Sequence, residues 1–288
     1  MTPHELVQEV GGLFTLPEAA VRLNDLMEDP RATLQDMAEV VGVDAGLASA
    51  VLRMANSAYY GLPGRVANIP MAINLLGQRA LRSLVLSVCV TQTFKGLPAG
   101  LVDMQAFWEN STVCGAIARL LARRCHLDHA DDLFLAGLLH ATGRLVFYAR
   151  RPVHYREILR DGMTTAELTA AERQMFGFDH AELGAALLAA WRLPPMLVTA
   201  VAYQLRPMQA PAFVSEAAAL HVAQDMAARS APLLKERQPP PDDQPAFDPV
   251  VYARLRLDPA ALPEIRQEAL LQAVEILEIV NPRATIIY

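Results

Sequence analysis

Lysine is almost missing from this chain: Lys95 and Lys235 are the only two among 25 basic residues, and the rest are arginine. Together with abundant alanine, this reads as the bias of a GC-rich genome and marks no site. Nor is there a surplus of positive charge, because 31 Asp and Glu leave a formal net charge of −6. Proteins that grip nucleic acid neutralise phosphates with a basic excess, so nucleic acid is not an expected partner. No apolar run approaches the ~18 residues that cross a bilayer, and no membrane insertion is expected. The opening residues, Met1-Thr-Pro-His-Glu-Leu6, lack the basic stretch and apolar core of a secretory signal. A cytoplasmic location follows as an expectation. Cysteine is scarce too; Cys89, Cys114 and Cys125 are odd in number, have no CxxC spacing, and read as reduced, buried thiols. What the 288 residues do hold is apolar side chain, 53% against 19% charged. That excludes intrinsic disorder, since burial can offset the ordering entropy.

Strand alternation is another absence, apart from a short extended tail at Thr285–Tyr288, and helical periodicity runs through the rest. Leu16, Ala20, Leu23 and Met27 share a face behind Pro17, a residue suited to a first helical turn. Thr33 and Asp36 form a capping-box pair, Gly42 ends that helix, and Asp44 caps a longer one from Ala45 to about Tyr60. Gly61-Leu-Pro-Gly64 breaks the chain, and Ile69 to Phe94 returns to helix with a stop at Gly77. Further helices fit at 103–126, 131–150, 152–161, 164–176, 179–191, 195–205 and 213–229. Ala181, Gly184, Leu188 and Trp191 form a buried stripe in one of them. The fold class is all-α. Lys95-Gly-Leu-Pro-Ala-Gly100 divides two helical lobes, and Ala231 to Pro249, with six of the twenty prolines, reads as a linker. The expected organisation is therefore 1–98, 99–230, and a 231–288 extension of linker and helix. In the 263–280 helix Ile265, Ala269, Ala273, Ile276 and Val280 share a face. That stripe is too short for a stable coiled coil, so it should dock on its own body rather than form a dimer seam.

Asp36 to Leu52 has the outline of a helix-turn-helix. A DNA-reading helix, however, needs amide, Arg or Lys side chains at its N-terminal end. Here that end is Asp44-Ala-Gly-Leu-Ala-Ser49, and the first arginine, Arg53, lies nearly three turns in. A helical corner inside a bundle is the reading. Of the seven histidines, His140 is the informative one. Leu138-Leu-His-Ala-Thr-Gly-Arg144 resembles the turn of HD-superfamily metal-dependent phosphohydrolases, where a His-Asp doublet precedes a small residue, Gly and Lys or Arg. In those enzymes the doublet holds metal whose bound water attacks a phosphoester. This chain has Ala141 at the carboxylate position. The resemblance places the upstream ligand at Asn110 and the late Asp at Gln224, with Asp225 adjacent and the register open. Of four ligands at most His140 and Asp225 remain, so no metal, no cofactor and no catalytic residue is assigned.

The wider pattern identifies the family. Leu16-Pro, Asp29-Pro, Asp44 to Gly61 and Ile69-Pro-Met-Ala-Ile-Asn-Leu-Leu-Gly77 resemble the signature of HDOD, or HD-related output, domains. Phe107-Trp, Gly137 to Arg144, Phe178-Asp-His-Ala-Glu-Leu-Gly184 and Trp191-Arg-Leu-Pro194 continue it, from about residue 13 to 229. Ala45, where Pro is frequent, and Tyr203-Gln204, where paired His are common, depart from it. The resemblance implies a two-lobed helical bundle and a non-catalytic output protein of bacterial signalling, near cyclic-di-GMP, two-component or chemotaxis-type circuits. It would act through protein–protein interaction with signalling partners, under control of a cyclic dinucleotide or other small ligand between the lobes. No receiver, EAL or GGDEF module fits the length, so its input is expected from a separate partner. The alternative is a divergent phosphohydrolase, a nucleotide or cyclic-di-GMP phosphodiesterase, built from His140, Asp225 and His180 or His221. Candidate ligand or partner contacts are Asn56, Ser57, Tyr60, Arg144 and His180. Each has a plainer reading: Asn56 and Ser57 as helix terminators, His180 beside a capping Asp179, Arg144 as a helix-closing cation.

Overall fold

Short-range hydrogen bonds from side chains start about half of the described helices. Thr2, Thr33, Thr164 and Asp179 each close a reciprocal capping box with an acid three residues on, and Asp44, Asn68 and Asp103 cap singly. The computed structural model describes residues 1–62, 64–94, 97, 102–160, 163–230 and 247–280. Among them every regular element is helical. The N-terminal run is α1 (Pro3–Val10), α2 (Glu18–Glu28), α3 (Leu34–Gly42), α4 (Ala45–Ala55), α5 (Ile69–Leu76) and α6 (Gln78–Thr93). The middle holds α7 (Met104–Arg124), α8 (Ala130–Leu139), α9 (Thr142–Arg150), α10 (Pro152–Ile158), α11 (Thr165–Phe176), α12 (His180–Ala190), α13 (Pro195–Tyr203) and α14 (Val214–Ala228). After the linker come α15 (Pro249–Leu255) and α16 (Leu262–Val280). None of these helices is long and apolar enough to cross a membrane.

Four sequence expectations change. The helix from Ala45 stops at Ala55, short of Tyr60, because the Asn56 amide donates back to the Leu52 carbonyl at 2.7 Å and across to that of Val66 at 2.9 Å. The single helix expected over 131–150 is two, broken at His140–Ala141. α1 and α15 are additional: a Thr2–Glu5 box with Pro3 makes the first, and Asp248 capping Val250 makes the second. The division at Gly77 holds, with φ +85° there, a conformation that glycine adopts without strain. The expected strand at 285–288 lies outside the described residues, as do the 95–100 boundary except Leu97 and the 231–249 linker up to residue 246.

One continuous apolar core runs from Leu6 in α1 to Val280 in α16. α7 is its axis, packed by α8, α14 and α16. Its small side chains permit close approach: a Cβ on Gly137 of α8 would lie 2.5 Å from the Gly115 Cα of α7. α16 buries Ile265, Ala269, Ala273, Ile276 and Val280 against α7, α4 and α6, so this stripe docks on its own chain. Two polar ties hold it: Glu275 accepts from the Ala58 N–H at 3.0 Å, and the Thr91 hydroxyl donates to the Val280 carbonyl at 2.6 Å. α1 lies on α9 and α12, while Trp191 Nε1 donates to Phe14 O and Asn24 Nδ2 to Arg192 O. Because one core links all parts, the division at 1–98, 99–230 and 231–288 stands as a proposal about chain organisation.

Candidate functional site

The α8–α9 break is made by side chains that turn back on their own helix. His140 Nδ1–H donates to the Gly137 carbonyl at 2.7 Å, and the Thr142 hydroxyl donates to Leu139 O at 2.8 Å. Both act as local caps that compete with helix continuation. His140 is buried, and burial pushes its pKa down to about 3 against the opposing pull of the Gly137 carbonyl, with Arg144 adding to the depression. The imidazole is therefore neutral. The freed His140 carbonyl accepts from Gln204 Nε2 at 2.8 Å, an amide that also donates to Val201 O at 3.1 Å. The Gln204 main-chain carbonyl in turn accepts from His221 Nδ1 at 2.7 Å and Gln224 Nε2 at 3.1 Å. Four side chains from α14, the end of α13 and the α8–α9 turn thus share one buried network. The Gln204 Oε1 atom is buried there without a partner.

Each position singled out in the sequence can now be placed. Ala141 is buried and offers only a methyl group; Asn110 sits half-buried on α7, and no hydrogen bond joins it to His140. Gln224 faces inward, whereas Asp225 pairs with Arg229 at 2.7 Å. His180 is fully buried at the start of α12. Its Nδ1–H donates to Glu172 Oε2 at 2.7 Å, its main-chain N–H reaches the same oxygen at 2.9 Å, and the Tyr155 hydroxyl donates to Glu172 Oε1 at 2.7 Å. Burial alone would raise the Glu172 carboxyl. The pull of His180, the two side-chain hydrogen bonds and the Arg144 charge together outweigh it and hold the carboxyl below its usual range. His180 Nε2 and Arg144 Nε are buried without partners. α9 and α12 touch here with almost no gap, since a Cβ on Gly143 would collide with the His180 carbonyl oxygen.

The remaining candidates lie in a different place. Asn56 clamps Val66 through both its amide ends, and the Ser57 hydroxyl donates to Met54 O at 2.6 Å. Tyr60 stacks edge-on against Tyr59 and partly covers Arg119, whose guanidinium carbon lies 3.6 Å from the Tyr59 ring centroid. Arg119, fully buried in the middle of α7, donates to Tyr59 O at 2.6 Å and to Asp131 Oδ1 at 3.1 Å. Thus Asn56 and Ser57 tie down the turn that ends α4, Tyr60 lies against Arg119 of α7, and of the candidates only His140, Arg144 and His180 share a locality. Gln204 entered the sequence reading only as a departure from the family pattern, and Glu172 and Arg119 escaped it. A lone arginine in the run Gly115–Ala122 was a visible sign of the last.

The HD resemblance implies a metal, and the donor chemistry argues against one. The inward amides of Gln204 and Gln224 are engaged with carbonyls, and Ala141 supplies no oxygen. Divalent metals in such hydrolases want carboxylates among imidazoles, and no group of three or more His, Cys, Asp or Glu suited to a metal gathers among the described residues. These residues do not fit the group.

Comparison with known proteins places this geometry. The family profile of the HDOD domain matches residues 13–207. A protein of Treponema pallidum (strain Nichols) without a functional name is 26% identical over 211 residues, covering 72% of this chain. The match takes in 40% of that relative, so the chain spans about two fifths of its length. Among solved structures, a protein of Shewanella amazonensis SB2B whose name proposes a phosphohydrolase is 26% identical with TM-score 0.74, covering 96% of this chain and 97% of its own. An HDOD domain protein of Geobacter sulfurreducens gives 0.68 at 21% identity, covering 92% and 96%. A Marinobacter aquaeolei VT8 protein named for signal transduction gives 0.69 at 24%, covering 95% of this chain and 60% of its own. The latter two speak for the fold alone.

Proposed function

The chain belongs to the HDOD domain family, and on that premise we propose that it is a non-catalytic regulatory protein of bacterial signal transduction, acting in the cytoplasm through protein–protein contact. The observation that carries the reading is the Gln204 network. Where a hydrolase of the HD type would gather ionised ligands, this chain has amides and neutral imidazoles bonded to main-chain carbonyls. Such a set holds α8, α13 and α14 in register and offers a substrate phosphate no ionised group. A closed, rigid bundle of this kind serves as a scaffold whose surface selects a partner. Control by a cyclic dinucleotide or other small ligand is part of the proposal, with Arg144 as its cationic contact.

The competing reading is a divergent phosphohydrolase. It draws on the unpartnered His180 Nε2 backed by Glu172, an arrangement seen behind metal-binding imidazoles. It also draws on the name of the Shewanella amazonensis protein. Metal analysis separates the two. After anaerobic loading with iron and manganese, we expect well under one ion per chain and no turnover of a phosphodiester such as bis(p-nitrophenyl) phosphate. One or two tightly held ions with turnover would replace this proposal by the enzymatic one.

A further inference from the structure

The net charge of this protein is not spread over it. Residues 1–60 carry nine Asp and Glu against three Arg, and the remaining 228 residues carry 22 of each sign. The whole excess of −6 therefore sits on α1 to α4 and their connections. On the same elements α2 and α3 enclose an open groove of about 480 Å³. Leu26 and Val40 lie along it, and Val43 at its edge is 81% exposed, the most exposed large apolar side chain among the described residues. Asp25, Asp29, Asp36 and Glu39 stand around them, against the single cation Arg22. Arg22 is drawn 3.9 Å from Glu18, and Asp29 is met by the exposed Arg31. Asp25 and Glu39 have no ion pair among the described residues.

From this juxtaposition we infer that the α2–α3 groove docks a basic amphipathic helix of a partner protein. The inference rests on the reading above, that the protein works by contact, and supplies the chemistry of that contact. An apolar ridge of the incoming helix covers Val43 and lies on half-buried Leu26, above the buried Val40, as a third helix fills the groove between two. Arginine or lysine on either side of that ridge faces Asp25 and Glu39. Exposed apolar surface rimmed by one sign of charge is the pattern of a recognition face, with the charge steering encounter and the apolar contact setting lifetime. Nucleic acid and anionic lipid are repelled by the same carboxylates. An added strand has no edge to pair with, because the surrounding elements are helices.

The test uses the full chain and a fluorescent synthetic peptide with leucines at helical i, i+3, i+4 spacing flanked by arginines, beside a counterpart with glutamates in place of the arginines. The arginine peptide should bind and the glutamate one should not. The double variant Asp25→Asn, Glu39→Gln should weaken binding roughly tenfold, and Val43→Ser, which leaves the charge alone, by a similar factor. Hydrogen-exchange protection on binding should fall on α2 and α3. Absence of binding overturns the proposal. So does binding that depends on ionic strength but is indifferent to Val43→Ser, which would be diffuse charge attraction, or displacement of the peptide by magnesium or calcium, which would make the carboxylates a cation site. The metal and phosphodiesterase measurements are made without peptide. An enzymatic result there removes the contact reading, whereas a silent peptide removes only this groove.

Discussion

A single side chain, Arg119, shows how much one residue can decide. It is a fully buried cation whose charge is balanced by Asp131, the Tyr59 carbonyl and the face of the Tyr59 ring. The two partners are unequal in what their loss leaves behind. Asp131→Asn strands a buried guanidinium and should cost about 3 kcal/mol, within the range for broken buried pairs. Arg119→Met should cost less, about 2 kcal/mol, because an apolar chain fills the volume and Asp131, 28% exposed, returns to water. Urea unfolding of both variants checks the order; equal losses would mean that the pair, rather than the desolvated cation, dominates. The arginine was conspicuous in the sequence as one charge in an apolar run. Its role was not, because Tyr59 lies 60 residues away and only the tertiary fold sets the turn after α4 beside α7.

Among the elements, the helices that were read correctly are those whose ends are closed by neighbours. Thr33 with Asp36, Asp44 with the Gly46 and Leu47 amides, and Gly77 at positive φ all act within three residues. The 140–141 break was missed because apolar periodicity runs on through it, although Thr142 and Gly143 are weak helix formers and Leu138 to Arg144 resembles the HD turn. His140 and Thr142 make the break by bonding back to α8, and it is kept by the seat of α9 on α12, where Gly143 abuts the His180 main chain. Gly143→Ala should therefore force α9 and α12 apart, costing about 3 kcal/mol, at the upper end for overpacked cores. Gly177→Ala, in the left-handed conformation at φ +85° but in open space, should cost only about 1 kcal/mol. Thermal melts rank the two, and hydrogen exchange in Gly143→Ala should rise in α9 and α12 first. α16 follows the same logic: its apolar stripe was legible, its seat on α7 was not.

At the scale of the whole molecule, the buried imidazoles tie stability to pH. His140 is held near 3 by burial, and His221 is also lowered by burial. Unfolding releases them to the ordinary histidine value near ~6.5, so the unfolded chain takes up protons that the folded one refuses. Stability therefore falls as pH drops below about 6.5, by roughly 1.4 kcal/mol per pH unit from His140 until it levels off near its folded value, with His221 acting in the same direction. Glu172, whose folded pKa is depressed, keeps its contribution above the usual carboxylate range of ~4.3 and loses it only below that. Denaturant titrations between pH 6.5 and 4.5 should show the histidine slope, reduced by about one proton in His140→Asn, which retains a donor for Gly137 O. An unchanged slope would place the proton on His140 in the folded protein. Most of the helical course, the Thr33–Asp36 and Asp44 caps and the family were readable along the chain, because helix periods, caps and the family's short motifs each depend on residues within a few positions of one another. Which polar groups meet was decided in three dimensions. Gln204 reaches His140 across 64 residues, a pairing forced because packed helices leave that buried amide and carbonyl few other partners, and Glu275 reaches Ala58 across 217 at the surface only because α16 is seated beside the α4 turn.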